Sequence, residues 1–94
     1  MSNNTKDTIF IGKKPLMTYV TSAIIQLATL PLITIKARGL SIAHAVDVAQ
    51  IVLHRTNPAF IIEDVKIDSE SLESQDGRTR NVSTFEISIK KKIA

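Results

Sequence analysis

The sequence predicts an α/β fold, a two-layer β-α-β-α-β-β sandwich. A four-stranded mixed sheet carries two helices on one face, and a hairpin between the third and fourth strands protrudes from it. Three observations predict this. Two stretches repeat apolar residues at helical spacing, four short runs alternate apolar and polar residues, and 94 residues with 44% apolar content suffice for one core but not two. The chain therefore reads as a single domain over 1–94, with residues 1–7 a polar, flexible leader that lacks the apolar stretch of a secretory signal.

The elements follow in order. Residues 8–12, Thr-Ile-Phe-Ile-Gly, form a β-rich run and a first strand. Pro15 stands at the first position of a helix, where its missing N–H costs nothing. Leu16, Tyr19, Val20, Ala23 and Leu27 then recur at helical spacing until Leu30-Pro31 stops them. Residues 32–38 alternate Ile33, Ile35 and Ala37 with Thr34, Lys36 and Arg38, the pattern of a strand. Gly39 supplies a turn and Ser41 an N-cap. A second helix carries Ile42, Val46, Ala49 and Leu53, broadened by Ala45, Val48 and Val52, and ends at Asn57-Pro58. Its apolar band is wide enough for burial on more than one side. Residues 60–72 form a third strand with Ile61, Val65 and Ile67 on one face. Ser74-Gln75-Asp76-Gly77-Arg78 is a turn whose Asp-Gly pair suits positive φ. Residues 82–91 form the fourth strand, with Phe85, Ile87 and Ile89 facing one way.

Composition narrows the function. With no cysteine, a disulfide scaffold, a thiolate nucleophile and Cys-ligated metals are excluded. No apolar run approaches the ~20 residues of a membrane span. The net charge of +3 conceals segregation: residues 1–62 carry six basic and two acidic groups, residues 63–76 one and six, residues 77–94 five and one. Such a pattern permits a strongly positive patch on a molecule of small overall charge.

Topology says where that patch lies. Right-handed crossovers make the first three strands parallel, so their C-terminal ends share one edge. Lys13 and Lys14 follow the first strand, Arg38 closes the second, and the turn bearing Arg78, with Arg80 beyond it, extends past the third. Both helix N-termini, with their unpaired N–H groups, point to the same edge. This is an anion-binding rim, and cations spread over a rim and an arm suit a repeating phosphate backbone. Gly12-Lys13-Lys14-Pro15 lacks the spacing of a phosphate loop, so no nucleotide cradle is expected. Asp47 and His54 share a helix face but lie about 10 Å apart along its axis, and His44 and Asp47 make at most a surface pair, so no metal is expected. No base stands beside Ser83 or Ser88 to activate a nucleophile, and Asn81-Val82-Ser83 matters as a glycosylation acceptor only in a secreted chain. Tyr19, Phe60 and Phe85 belong to faces that need burial. Phe10, between Ile9 and Ile11, fits either the core or a stacking surface.

The ordered segments Ile11-Gly12-Lys13-Lys14-Pro15-Leu16-Met17, Ile35-Lys36-Ala37-Arg38-Gly39, Ala45-Val46-Asp47, Ser74-Gln75-Asp76-Gly77-Arg78 and Val82-Ser83-Thr84 resemble the Alba family of archaeal chromatin proteins over residues 9–91. The resemblance implies a non-enzymatic protein, cytoplasmic and associated with the nucleoid, that binds double-stranded DNA and RNA with little sequence preference. It implies a homodimer, or a heterodimer with a paralogue, and no cofactor. It further implies that Lys13 and Lys14 lie at the centre of the binding face, with Lys13 the acetylated position, that Arg38 contacts phosphates, and that arms carrying Arg78 and Arg80 follow the minor groove. Three positions depart from the family pattern. Leu40 stands where a basic residue often follows Arg-Gly, Leu30-Pro31 replaces a Gly-containing turn, and Thr56 follows Arg55 where a phenylalanine serves contact between dimers. The alternative readings are an RNA-binding module of an RNA-processing assembly and, from another class, an enzyme acting on a small anion or phosphosugar at the helix N-termini.

Overall fold

A computed structural model describes residues 7–92; all of the leader before Asp7 lies outside the described residues. The elements are β1 (Thr8–Phe10), α1 (Leu16–Leu27), β2 (Leu32–Arg38), a 3₁₀ turn (Gly39–Ser41), α2 (Ile42–Arg55), β3 (Phe60–Glu73) and β4 (Thr79–Lys91). The sheet order is β1-β2-β4-β3. β1 and β2 are parallel, and β4 runs antiparallel to both β2 and β3, so β1, β2 and β3 all point the same way. The expected mixed sheet and two-layer architecture are therefore present, with the last strand inserted between the second and third.

One register explains the core. Ile9 pairs with Ile35, Ile35 with Ile87, and Ile33 with Ile89, placing all five side chains on one face of the sheet. Against it α1 buries Tyr19, Val20, Ala23 and Leu27, and α2 buries Ala45, Val48, Ala49 and Val52. Alanine at 23, 45 and 49 has no bulk to hold the helices off, which lets the layers close. Ile33, Ile35 and Ile89 are wholly removed from solvent, each contributing about 1.5–3 kcal/mol. No helix among the described residues is long and apolar enough to cross a membrane.

Local details differ from the sequence pattern. The regular part of β1 ends at Phe10, although the Ile11 N–H still donates to the Lys36 carbonyl at 2.9 Å. Pro15 is the N-cap of α1 rather than its first helical residue, with an extended ψ of 144°. Ser41 occupies the N-cap of α2 but makes no side-chain cap bond, because the 3₁₀ turn begun at Gly39 (φ +59°) has already set its backbone helical. The buried stripe of α2 runs along Ala45, Val48, Ala49 and Val52, leaving Val46 at 39% exposure.

Ile61 does not share a face with Val65 and Ile67. A bulge between Ile62 and Asp64 inserts one residue, so Ile62, Val65 and Ile67 align with Ile89, Ile87 and Phe85 on the helix side, while Ile61 turns to the other face. The helices pack over β1, β2 and β4 and leave β3 uncovered. Ile62, Val65 and Ile67 stay 42%, 45% and 79% exposed.

Both long strands outrun the sheet. β2 stops at Arg38, paired with Thr84, but β3 and β4 pair for five further rungs, from Ser69 with Ser83 to Glu73 with Thr79. The arm projects by about 17 Å, consistent with molecular extents of 51 × 29 × 20 Å. Its tip is a turn in which Gly77 takes φ +83° and the Gly77 N–H donates to the Ser74 carbonyl at 3.0 Å. The Asp76 carboxylate accepts from the Ser74 hydroxyl and the Arg78 N–H, which holds its pKa below the ordinary 3.8.

Candidate nucleic-acid interface

The loop between β1 and α1 is shaped by a tyrosine. Tyr19, in the second turn of α1 and 8% exposed, directs its hydroxyl back to the loop, where it accepts from the Gly12 N–H at 2.8 Å and the Lys14 N–H at 3.1 Å. A Cβ at residue 12 would stand 3.4 Å from that oxygen, so glycine suits the approach. The consequence is a fixed loop that exposes Lys13 and Lys14 beside the N-terminus of α1. The aromatic ring is core, as its helical phase requires, but the hydroxyl serves the loop. Nothing in the residue spacing separates the two roles. Tyr19→Phe leaves both N–H groups without their acceptor, and such a group costs about 1–3 kcal/mol when shielded from water. The expected result is a lower Tm and weaker anion binding by a loosened loop, measured by thermal melting and by titration with a duplex.

Arg38 ends β2 beside the N-terminus of α2, and the arm starts one residue pair beyond it. Neither helix has an acidic residue in its first turn. Lys13, Lys14 and Arg38 thus cluster at the positive ends of two helix dipoles, an arrangement that is mildly unfavourable until an anion arrives. Arg80 lies on the arm, on the same sheet face as Arg38 and Lys36, and Arg78 lies in the tip. The five cations sit at one end of the sheet and on the arm that leaves it. Leu40, in the 3₁₀ turn that follows Arg38, is fully exposed.

The acidic stretch has a role that the sequence pattern did not disclose. Glu70 accepts a short hydrogen bond from the Arg38 guanidinium across the strands, with the two side chains 43% and 61% exposed. Lys36 lies 3.9 Å from Glu86, and Arg78 lies 3.6 Å from Asp76. Among the described residues, Lys13, Lys14 and Arg80 have no acidic partner. So the rim has two free lysines at its β1 end and, at its centre, an arginine already engaged by a carboxylate. Sequence spacing could not pair residues 38 and 70, because β4 lies between their strands. Exposed pairs are worth only about 0–1 kcal/mol, so an incoming phosphate can displace Glu70. Glu70→Gln removes the competitor and is expected to tighten duplex binding by up to about fivefold per site. The gain should vanish in an Arg38→Gln background, which a double-mutant cycle of affinities measures. His44 and Asp47 are exposed one turn apart in the first half of α2, and His54 is exposed near its C-terminal end, two turns beyond Asp47.

A family model described as Alba matches residues 7–69. The chain is 65% identical over 95 residues, covering the whole of both sequences, to the DNA/RNA-binding protein Alba of Nitrosopumilus maritimus. It is 42% identical over 88 residues to DNA/RNA-binding protein Alba 1 of Archaeoglobus fulgidus, covering 93% of this chain and 98% of the relative. Among solved structures, Alba from Thermoplasma volcanium superposes with a TM-score of 0.81 at 42% identity, over 88% of this chain and 98% of that one. ALBA1 from Trypanosoma brucei superposes with a TM-score of 0.75 over 95% of this chain and 72% of that one, at 14% identity, a likeness of fold alone.

Proposed function

The chain belongs to the Alba family, and on that premise we propose that it is a non-enzymatic architectural protein that binds double-stranded DNA by its phosphate backbone. The observation that carries the proposal is the placement of Lys13, Lys14 and Arg38 at one sheet edge, beside two helix N-termini and the root of an arm bearing Arg78 and Arg80. Phosphates neutralise the cations and accept from the exposed N–H groups of the helix ends. The arm follows a groove and lengthens the contact, as two-stranded ribbons do. No base edge is read, so affinity is nearly independent of sequence.

The functional unit is a homodimer, or a heterodimer with a paralogue. Ile62, Val65 and Ile67 of β3, continuous with the core face, form an apolar strip that a second copy covers. Two rims and two arms then engage one duplex, compacting and protecting it on the chromosome in the cytoplasm. Lys13 is the position where acetylation weakens binding, since the modification removes a free cation from the rim.

Titration of a panel of duplexes of unrelated sequence tests the reading. Equal affinities within a few-fold are expected, and a strong preference for one sequence contradicts it. The relatives' names couple DNA with RNA, which supports an RNA-binding module as the second reading; competition between matched DNA and RNA duplexes separates the two, and a marked preference for A-form RNA reverses their order.

A further inference from the structure

We propose that the open face of the sheet holds a second site, in which one unpaired nucleobase of a single-stranded segment stacks on Phe10. This rests on the nucleic-acid binding argued above and names a form of nucleic acid that the rim alone does not distinguish.

The helices cover one face of the sheet and leave the other bare. On the bare face Phe10 is 62% exposed, while its neighbours Ile9 and Ile11 are 6% and 7% exposed. The core is complete without this ring. Its face is accompanied by the Lys36 ammonium, 5.9 Å from the ring centroid. The ring, Lys36, Arg38, Asp68, Glu70 and Glu86 help to line an open depression of about 620 Å³. That volume is within the range of small-molecule sites.

The chemistry favours a base over a phosphate. Lys36 is matched by Glu86 and Arg38 by Glu70, so the depression has an aromatic wall and no excess of positive charge. An aromatic ring accepts any base by stacking, whatever its identity. The carboxylates accept from the amino groups of base edges. A base inside a duplex cannot reach such a surface, because its faces are occupied by its neighbours. Arg38 belongs both to the rim and to the depression, so a strand held by the rim can continue onto the sheet when it is unpaired.

The test compares four probes: a blunt duplex, the same duplex with a short single-stranded overhang carrying fluorescent aminopurine, that duplex with an abasic overhang of equal length, and the aminopurine-bearing single strand alone. The wild-type protein is expected to bind the base-bearing overhang about fivefold or more tighter than the abasic one, the lower end of aromatic–base stacking, and to quench the aminopurine. Phe10→Ala should abolish both effects and leave blunt-duplex affinity unchanged; Phe10→Tyr should keep both. Melting curves of each variant establish that it is folded. Equal affinity for the base-bearing and abasic overhangs, or quenching that survives Phe10→Ala, overturns the proposal. Failure to bind the blunt duplex counts against the rim instead, since aminopurine in a free single strand reports on the depression directly.

Discussion

Replacing Lys13 and Lys14 together by glutamine is expected to weaken duplex binding by about tenfold or more, with the fold intact. Both side chains are exposed and without acidic partners among the described residues. Surface changes of this kind usually alter stability by no more than about 0.5 kcal/mol. They also stand at the positive end of α1, where removing cations relieves a small repulsion, so the Tm should hold or rise slightly. Affinity responds differently. In a dimer the change removes four cations, and the slope of log K against log salt should become shallower by about 3–4. Binding should weaken alike on every duplex sequence, because phosphate contacts carry no base information. A loss confined to particular sequences would point to base readout instead. Melting curves alongside salt titrations of the variant measure both quantities.

The second large effect is expected from Ile67→Glu. Ile67 is 79% exposed and adds little to the core of one subunit, yet it lies on the apolar strip that the proposed partner covers. A charge there has no counter-charge inside a symmetric interface, where it meets its own copy or an apolar surface. The variant should run at the mass of a single chain where the wild-type protein runs as a dimer, with an unchanged helical spectrum. Duplex affinity should fall steeply, because one rim and one arm replace two and the second binding event is no longer intramolecular. Analytical ultracentrifugation with a duplex titration decides the point. A dimeric variant that binds normally would mean that the strip has another role.

The predicted element order holds because its determinants are local. Helical spacing of Leu16, Tyr19, Val20, Ala23 and Leu27 and alternation through residues 32–38 each need only a few neighbours to act. The bulge at residues 62–64 escaped that logic. A run of Phe60, Ile61 and Ile62 offers apolar side chains to both faces, so alternation cannot fix which one turns inward until pairing with β4 sets the register. The positions of Lys13, Lys14 and Arg38 at one edge were legible from chirality and crossover rules. What surrounds them was not. Glu70 reaches Arg38 over an intervening strand, and the Tyr19 hydroxyl reaches Gly12 by closing a loop. Both contacts depend on side-chain reach after the layers have packed. Phe10 is a related case: its neighbours need burial, and only the sheet's bare second face leaves the ring in solvent.

Charge neutralisation of a polyphosphate at the rim and arms is tested most directly by the salt dependence of wild-type binding to a single duplex. With most of the five cations of each subunit engaged in a dimer, a plot of log K against log salt should be linear, with a slope between about −5 and −9. A slope near zero would rule out binding by neutralisation of phosphates.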